Sequence, residues 1–423
     1  LNHEQKLNKT TTVFFNVGLN RNNLDNNIMA KFSSYTIKNG AGDFDLEYQI
    51  GGTPQNTYYT QIGTRHDFGS KAVKHKVTVA FDKSWKERES GITPNYNNGS
   101  KSFGVLGTGN LDGTIRQISM PITRYKTGLA ARQQMWGITF LDEVKYKKWY
   151  LIWGVHYHKA TTNNYNNRLG TLTSSNTSSA TAPTFALMYK PSDNWSIYGS
   201  HSEYFEAGVP VGSTYRNAVE ILPPAKTKQN EVGVNYQKNG LLTSLAFFDI
   251  KMSNNIVVNR TVADNTGTWL MQDGQDRHKG VEWTINGRVA PKWTIFGGAM
   301  YLDAKKERTA GGREDGWRVS AQPYWSGTLG VEYNPNERWA LMTRLTYFGD
   351  SVIRNGAGSL VNVPSYTVFD AGVRYKTRWN NAPAVISLTA YNVFNQNYWM
   401  ASRGDQVYVS TPRTYMMSVQ FEL

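Results

Sequence analysis

Apolar and polar residues alternate with a period of two along almost the whole chain, most cleanly at its end. Tyr415, Met417, Val419, Phe421 and Leu423 are apolar, and Ser418, Gln420 and Glu422 between them are polar. Val281, Trp283, Ile285, Gly287 and Val289 alternate in the same way with Glu282, Thr284, Asn286 and Arg288. Val77/Val79/Phe81, Val232/Val234/Tyr236, Leu329/Val331/Tyr333 and Phe369/Ala371/Val373/Tyr375 repeat the pattern. Successive side chains of a strand point to opposite faces, so each segment predicts a strand with one dry and one wet face. The chain accommodates about eighteen of them.

The connections alternate between short and long. Tight turns are predicted at Pro191-Ser192-Asp193-Asn194, Lys238-Asn239-Gly240, Ala290-Pro291-Lys292 and Asn334-Pro335-Asn336-Glu337. Long polar loops are predicted between them, near 84–125, 159–182, 206–225, 252–278, 303–320, 349–363 and 397–411. The 159–182 stretch is rich in Asn, Thr and Ser and reads as a loop with no core of its own. Short turns at one end and long loops at the other predict a transmembrane β-barrel, its short turns periplasmic and its long loops extracellular.

Aromatic spacing points to lipid. Trp149 and Tyr157, Trp293 and Tyr301, Trp325 and Tyr333, and Trp339 and Tyr347 each stand eight residues apart on one face. Eight residues of strand span about 26 Å, which a tilt of about 40° reduces to roughly 20 Å of height. Between them the same face carries Leu151/Trp153/Val155, Ile295/Gly297/Ala299, Gly327/Leu329/Val331 and Leu341/Thr343/Leu345. These eight aromatics are therefore expected to form two membrane girdles. With the C-terminal strand ending in the periplasm, the chain reads as all-β: one large antiparallel barrel over residues 1–423.

Composition narrows the alternatives. Mean hydropathy is −0.53, aromatics make up 13%, and there are 38 Gly. No run approaches the ~18 apolar residues of a spanning helix. The absence of Cys rules out disulfides and thiolate chemistry. The net charge of +14 favours anionic ligands or surfaces, but the basic residues are scattered, so no nucleic-acid partner is expected. No Ser/His nucleophile motif, zinc motif or phosphate loop occurs, and no enzymatic role is expected. His156 and His158 share an inward face and read as solvated side chains rather than metal ligands.

Five segments carry a resemblance. Pro224-Ala225-Lys226-Thr227-Lys228-Gln229-Asn230-Glu231-Val232-Gly233 is followed by Ala246-Phe247-Phe248-Asp249-Ile250, then by Gly274 to Glu282. Val363-Pro364-Ser365-Tyr366-Thr367-Val368-Phe369-Asp370 comes next, and Asn392-Val393-Phe394-Asn395-Gln396-Asn397-Tyr398-Trp399 with Pro412-Arg413 closes the series. In this order they resemble the TonB-dependent siderophore receptors. The resemblance implies a barrel of about 22 strands around a plug, active uptake of a ferric siderophore, and energy from an inner-membrane TonB complex. It implies no resident cofactor, a monomer in the bacterial outer membrane, and contact with lipid and lipopolysaccharide. Against that pattern, the plug, the TonB-contacting part and the first strands are expected to be missing. The strand near Val13–Leu19 is then expected to expose an edge unless it pairs with Tyr415–Leu423.

A bulky chelate with apolar rims and negative charge calls for aromatic walls and arginine at the outer end. By phase, Tyr324, Phe348 and Tyr366 point inward there. Tyr204, Phe205, Tyr215, Arg216, Trp269, Tyr398, Trp399 and Arg403 lie in or beside the outer loops. These are the candidate ligand-binding residues. The competing expectation is a passive substrate-selective porin, which would devote one long inward loop to narrowing its pore.

Overall fold

In hydrocarbon no water satisfies backbone N–H and C=O groups, so alternating strands must pair along their whole lipid-embedded length. The computed structural model meets this demand with one 17-stranded antiparallel sheet. It describes all residues except 23–26, 52, 92–99, 111–114, 117–126, 207, 209–210, 212–213, 219, 221, 263–264, 355–358, 381, 403–406 and 422–423.

The sheet strands are β1 (Asn2–Lys6), β2 (Thr11–Asn22), β3 (Gln55–Gly69), β4 (Val73–Gly91), β5 (Thr127–Tyr146) and β6 (Trp149–Tyr165). They continue with β7 (Leu172–Ser192), β8 (Trp195–Glu206), β9 (Ala225–Lys238), β10 (Leu241–Val262), β11 (Asn265–Ala290) and β12 (Trp293–Glu307). The last five are β13 (Trp325–Tyr333), β14 (Trp339–Phe348), β15 (Tyr366–Trp379), β16 (Ala382–Tyr391) and β17 (Thr414–Phe421). Each pairs with the next. Seventeen strands stand where about eighteen are expected from the alternation.

Register places the expected faces together. Trp149 opposes Tyr189, Trp195 opposes Tyr236, Trp293 opposes Tyr333 and Trp339 opposes Tyr375. Their ring centroids lie 4.4–4.7 Å apart, forming a row of tilted Trp–Tyr pairs at the short-turn end. At the other end Tyr301 meets Trp325 at 5.0 Å, and Trp136 meets Tyr157 at 5.7 Å. Of the eight aromatics singled out by spacing, Trp149, Tyr157, Trp293, Trp325, Trp339 and Tyr347 are exposed, and Tyr301 and Tyr333 half-exposed. On the opposite face, aromatic rings lie over register-paired glycines. A Cβ on Gly330 would come within 2.1 Å of the Phe296 ring, and one on Gly233 within 2.6 Å of Tyr198.

Two expectations need correction. The strand around Val13–Leu19 is not an edge, because β1 covers it from Asn2↔Asn16 to Lys6↔Thr12 and the Leu1 amine bonds Val17 O at 2.7 Å. The edges are β1 and β17, and among the described residues no ladder joins them. Since every ladder is antiparallel, these two strands run in the same direction. An antiparallel closure would require an odd number of strands between them.

Several predicted long loops are also shorter than the pattern implied. Strands β6 and β7 run to Tyr165 and from Leu172, and β10 and β11 run to Val262 and from Asn265. Within 84–125, β4 reaches Gly91 and the strands Ser100–Asn110 and Ile115–Arg116 follow. These two belong to a four-stranded sheet with Asn27–Ile37 and Asp43–Gly51. Where both faces of a strand are wet, the ladder persists while hydrophobic alternation vanishes.

Candidate functional site

At the long-loop end, the start of β15 and the 392–412 segment build an aromatic wall. Phe348 on β14 opposes Tyr366 in register, and their rings stack at 5.3 Å. Tyr366 in turn stacks on Tyr398 at 4.1 Å and 16°. Burial, with Asp370 nearby, pushes the Tyr398 hydroxyl above its ordinary pKa. Three consecutive flat rings thus line one side of the outer mouth, as alternation predicts for Phe348 and Tyr366.

A buried polar brace holds this wall. Asn392 is 4% exposed and donates from Nδ2 to Gln396 O at 2.9 Å and Thr411 O at 3.0 Å. Its Oδ1 accepts from Gln396 N at 2.9 Å, while its own backbone N–H reaches Asp370 Oδ1 at 2.9 Å. Arg344 closes the network on Asp370 Oδ2 from Nε at 2.9 Å and Nη2 at 2.6 Å. Arg413 N donates to Asn395 Oδ1 at 2.9 Å, and Arg413 Nη1 to Val393 O at 3.3 Å. Asn392 and Asn395 both take positive φ (50° and 51°), a conformation asparagine tolerates better than most residues. The Asn392–Trp399 and Pro412-Arg413 motifs therefore shape the loop that presents Tyr398.

The other candidates form separate groups. Phe205 stacks on His158 at 3.6 Å, and His158 stands 4.9 Å from His156. Strand β8 leaves β7 after Thr184↔Ser202 but stays paired with β9 through Phe205↔Lys226 to Glu206↔Ala225. Tyr204 is 60% exposed beside Phe205. Tyr215 and Arg216 belong to a segment docked on the β10–β11 arm. Arg216 N donates to Thr268 O at 2.9 Å, and the Arg216 side chain lies where a Cβ on Gly267 would be. The anchor is Asn217, 6% exposed, which bonds Leu270 O at 2.9 Å and accepts from Leu270 N at 3.1 Å. Trp269 sits between these contacts on β11, opposite Val258.

Tyr324 differs from its expected inward phase. It precedes β13, where alternation begins, and its ring lies 6.2 Å from that of Tyr301, on the side of the outward aromatics. Arg318 caps its other side at 4.1 Å. Trp399 opens a short strand paired with Val407–Val409. Arg403 lies outside the described residues.

Several charges at the long-loop end are paired among the described residues. Arg277 grips Asp249 from Nε at 2.8 Å and Nη2 at 2.6 Å, with Glu307 at 3.7 Å. That hydrogen bond holds the Asp249 carboxyl below its ordinary 3.8. Beside the arm opens a cleft of about 490 Å³ lined by Asn255, Gln275, Lys306, Arg313 and Glu314. Burial opposes the charge of Glu314, but Lys306 at 2.6 Å and Arg354 together hold its carboxyl below the ordinary range. Among the described residues no group of three or more His, Asp or Glu could hold a metal ion.

Buried asparagines are the residues that sequence reasoning missed. Asn176, 3% exposed, donates to Gly208 O at 2.5 Å and so ties the 207–224 segment to β7 on its other side. Its only local signal, an Asn/Thr/Ser-rich context, reads as a solvated loop. Asn392 had a signal in its motif, and Asn217 had none.

Comparison with known proteins bears on what this architecture is. Residues 2–395 match the model of the family described as TonB dependent receptor-like, beta-barrel. The ferrichrome receptor FcuA of Yersinia enterocolitica is 22% identical over 438 residues, covering 100% of this chain and 55% of that protein. The ferrioxamine receptor of the same organism is 26% identical over 313 residues, covering 73% of this chain and 42% of its own length. The chain thus spans about half the length of these relatives or less. Among solved structures, BauA, the ferric preacinetobactin receptor of Acinetobacter baumannii, superposes with a TM-score of 0.82 at 22% identity. That alignment covers 99% of this chain and 61% of BauA. The shared fold, and a family match over nearly the whole sequence, lead to one assignment: this chain belongs to the TonB-dependent receptor-like β-barrel family.

Proposed function

We propose that this chain is the barrel part of a bacterial outer-membrane receptor that takes up a ferric siderophore, with energy delivered through TonB. The observation that carries the reading is the stacked wall Phe348–Tyr366–Tyr398 at the outer mouth, braced from beneath by Asn392, Asp370 and Arg344. A chelate with flat apolar rims finds there a rigid surface that loses little conformational freedom on binding. The class of cargo is supported by relatives whose names are ferrichrome and ferrioxamine receptors.

Iron travels here as cargo inside its chelate, so the barrel supplies contact surface and not metal ligands, and no covalent step is assigned to it. Gating and coupling to TonB belong to sequence outside this chain, and so do the strands that would cover the edges of β1 and β17. The complete receptor is expected to be a monomer surrounded by lipid and lipopolysaccharide.

The test is saturable binding of ferric hydroxamate and ferric catecholate chelates to de-energised cells carrying the complete protein. Tyr366→Ala combined with Tyr398→Ala should weaken binding by about tenfold or more, the loss expected when two stacked rings are removed. Unchanged affinity would take the wall out of the binding site. A non-saturable signal would favour a passive pore.

A further inference from the structure

The short-turn rim is built in two ways. From β6 to β15 its outward face is the row of Trp–Tyr pairs, and the turns there carry both signs, Asp193 and Glu337 standing among Lys238, Lys292, Arg338 and Arg378. In the first three hairpins, β1–β2, β3–β4 and β5–β6, that row gives way to lysine and histidine. Lys6, Lys9, Lys71, Lys74, Lys145, Lys147 and Lys148 are all exposed there, and none of residues 5–12, 68–76 and 144–152 is acidic. The hairpins are neighbours, because β2 pairs with β3 and β4 with β5. Lys74 and Lys145 oppose each other in register on the inward face beside Tyr150, so they add to the positive charge of this sector without facing lipid. Among the described residues no salt bridge neutralises any of these seven lysines.

Their height in the membrane is marked by the aromatic row. Lys147 Nζ sits 5.2 Å over the ring of Tyr146, which opposes Trp149, the first Trp of the row. Lys148 Nζ bonds Pro191 O at 2.5 Å in the next turn, which keeps it at the rim. Just above, on the lipid-facing side, Phe68 stacks on His75 at 4.9 Å and on His66 at 5.8 Å. The cations therefore lie at the boundary plane where interfacial aromatics meet lipid headgroups.

We propose that this sector is a docking surface for anionic phospholipid in the leaflet at the short-turn end, with Lys9, Lys71, Lys147 and Lys148 holding headgroup phosphate oxygens. An acidic protein would find the same charges, but their placement flush with the lipid-facing girdle favours the bilayer itself. The proposal relies on the receptor reading only for which leaflet the rim faces. Failure of siderophore uptake would leave it standing.

Native mass spectrometry of the purified, detergent-solubilised protein with added phosphatidylglycerol or phosphatidylethanolamine tests it. The wild type should retain phosphatidylglycerol at least about tenfold better, given about fivefold for each lysine at an anionic surface. Lys71→Gln, Lys147→Asn and Lys148→Gln together should abolish the preference; asparagine suits the positive φ of 51° at Lys147. Lys238→Gln, Lys292→Gln and Arg378→Gln together, on the aromatic sector, should leave it intact. Should the first variant fail to fold, the wild type at about 1 M salt, where the Debye length is ~3 Å, must lose the preference instead. Equal retention of the two lipids, or equal loss in both variants, overturns the proposal. Displacement of the lipid by millimolar inorganic phosphate also overturns it, since it would mark a site for the free ion.

Discussion

The hairpin β10–β11 is one continuous ladder that passes through two environments. In its lower part Leu245, Phe247, Val281 and Trp283 share an outward face, and Ser244, Glu282 and Thr284 the inward one. Above Val281, which opposes the girdle residue Tyr301, the same two strands carry Asp249, Lys251, Arg277 and Lys279 with no apolar stripe. The backbone pairing is alike in both parts, so alternation reports the solvent around a strand and not the strand itself. The lower part presents an apolar stripe on one face, while the upper part depends on polar contacts such as Arg277–Asp249 and Asn217–Leu270.

The largest expected effect breaks this comparison at its lipid side. Leu329 lies midway between Trp325 and Tyr333, on the exposed face. Leu329→Arg should cost about 2–4 kcal/mol of folding stability in vesicles, the price of a cation near the bilayer midplane. Val257→Arg, on the upper arm and similarly exposed, should stay within about 0.5 kcal/mol. Urea titrations of both variants measure the contrast, and equal losses would mean that the boundary has been drawn at the wrong height.

The next effect is confined to the loop end. Asn392→Ala leaves Gln396 and Thr411 backbone groups without their buried partner, at a cost of about 1–3 kcal/mol. The expected result is faster proteolysis and amide exchange over 393–412, with the barrel strands unchanged. Slowed barrel assembly instead would place Asn392 in the folding of β15 and β16.

The smallest effect is electrostatic. The folded Asp249 carboxyl titrates below its ordinary 3.8, so its pairing with Arg277 stabilises the arm above that pH. This contribution is lost as pH falls through the lowered folded value. Both partners are partly exposed, at 27% and 29%, which keeps the effect under about 1 kcal/mol. Amide protection of 250–258, measured relative to intrinsic exchange at each pH, should therefore fall below about pH 4 in the wild type, and Asp249→Asn should remove that fall.

What could be read from the sequence follows the same division. Wherever one face of a strand is apolar and the other polar, as at Leu329/Val331/Tyr333 or Val232/Val234/Tyr236, strand and face were legible. The eight-residue Trp-to-Tyr spacing was legible in the sequence, whereas the pairing of each Trp with a Tyr across the ladder needed the register. Above the rim the signal fails: 159–182 read as a loop because Thr161, Thr177 and Asn176 carry no alternation, although β6 and β7 continue through them. Tyr324 was misplaced because phase was extended beyond the strand that defines it. Tyr366 follows the phase of its strand opposite Phe348, whereas its contact with Tyr398 depends on a loop folded around Asn392 that no periodicity encodes.

The most direct test of the receptor reading is iron uptake by cells carrying the complete gene, with and without a functional TonB complex. The account predicts saturable uptake of a ferric chelate in energised cells, near-background uptake without TonB, and a raised half-saturation concentration after Tyr366→Ala. Equal, non-saturable uptake in both strains would contradict it and make the barrel a passive pore.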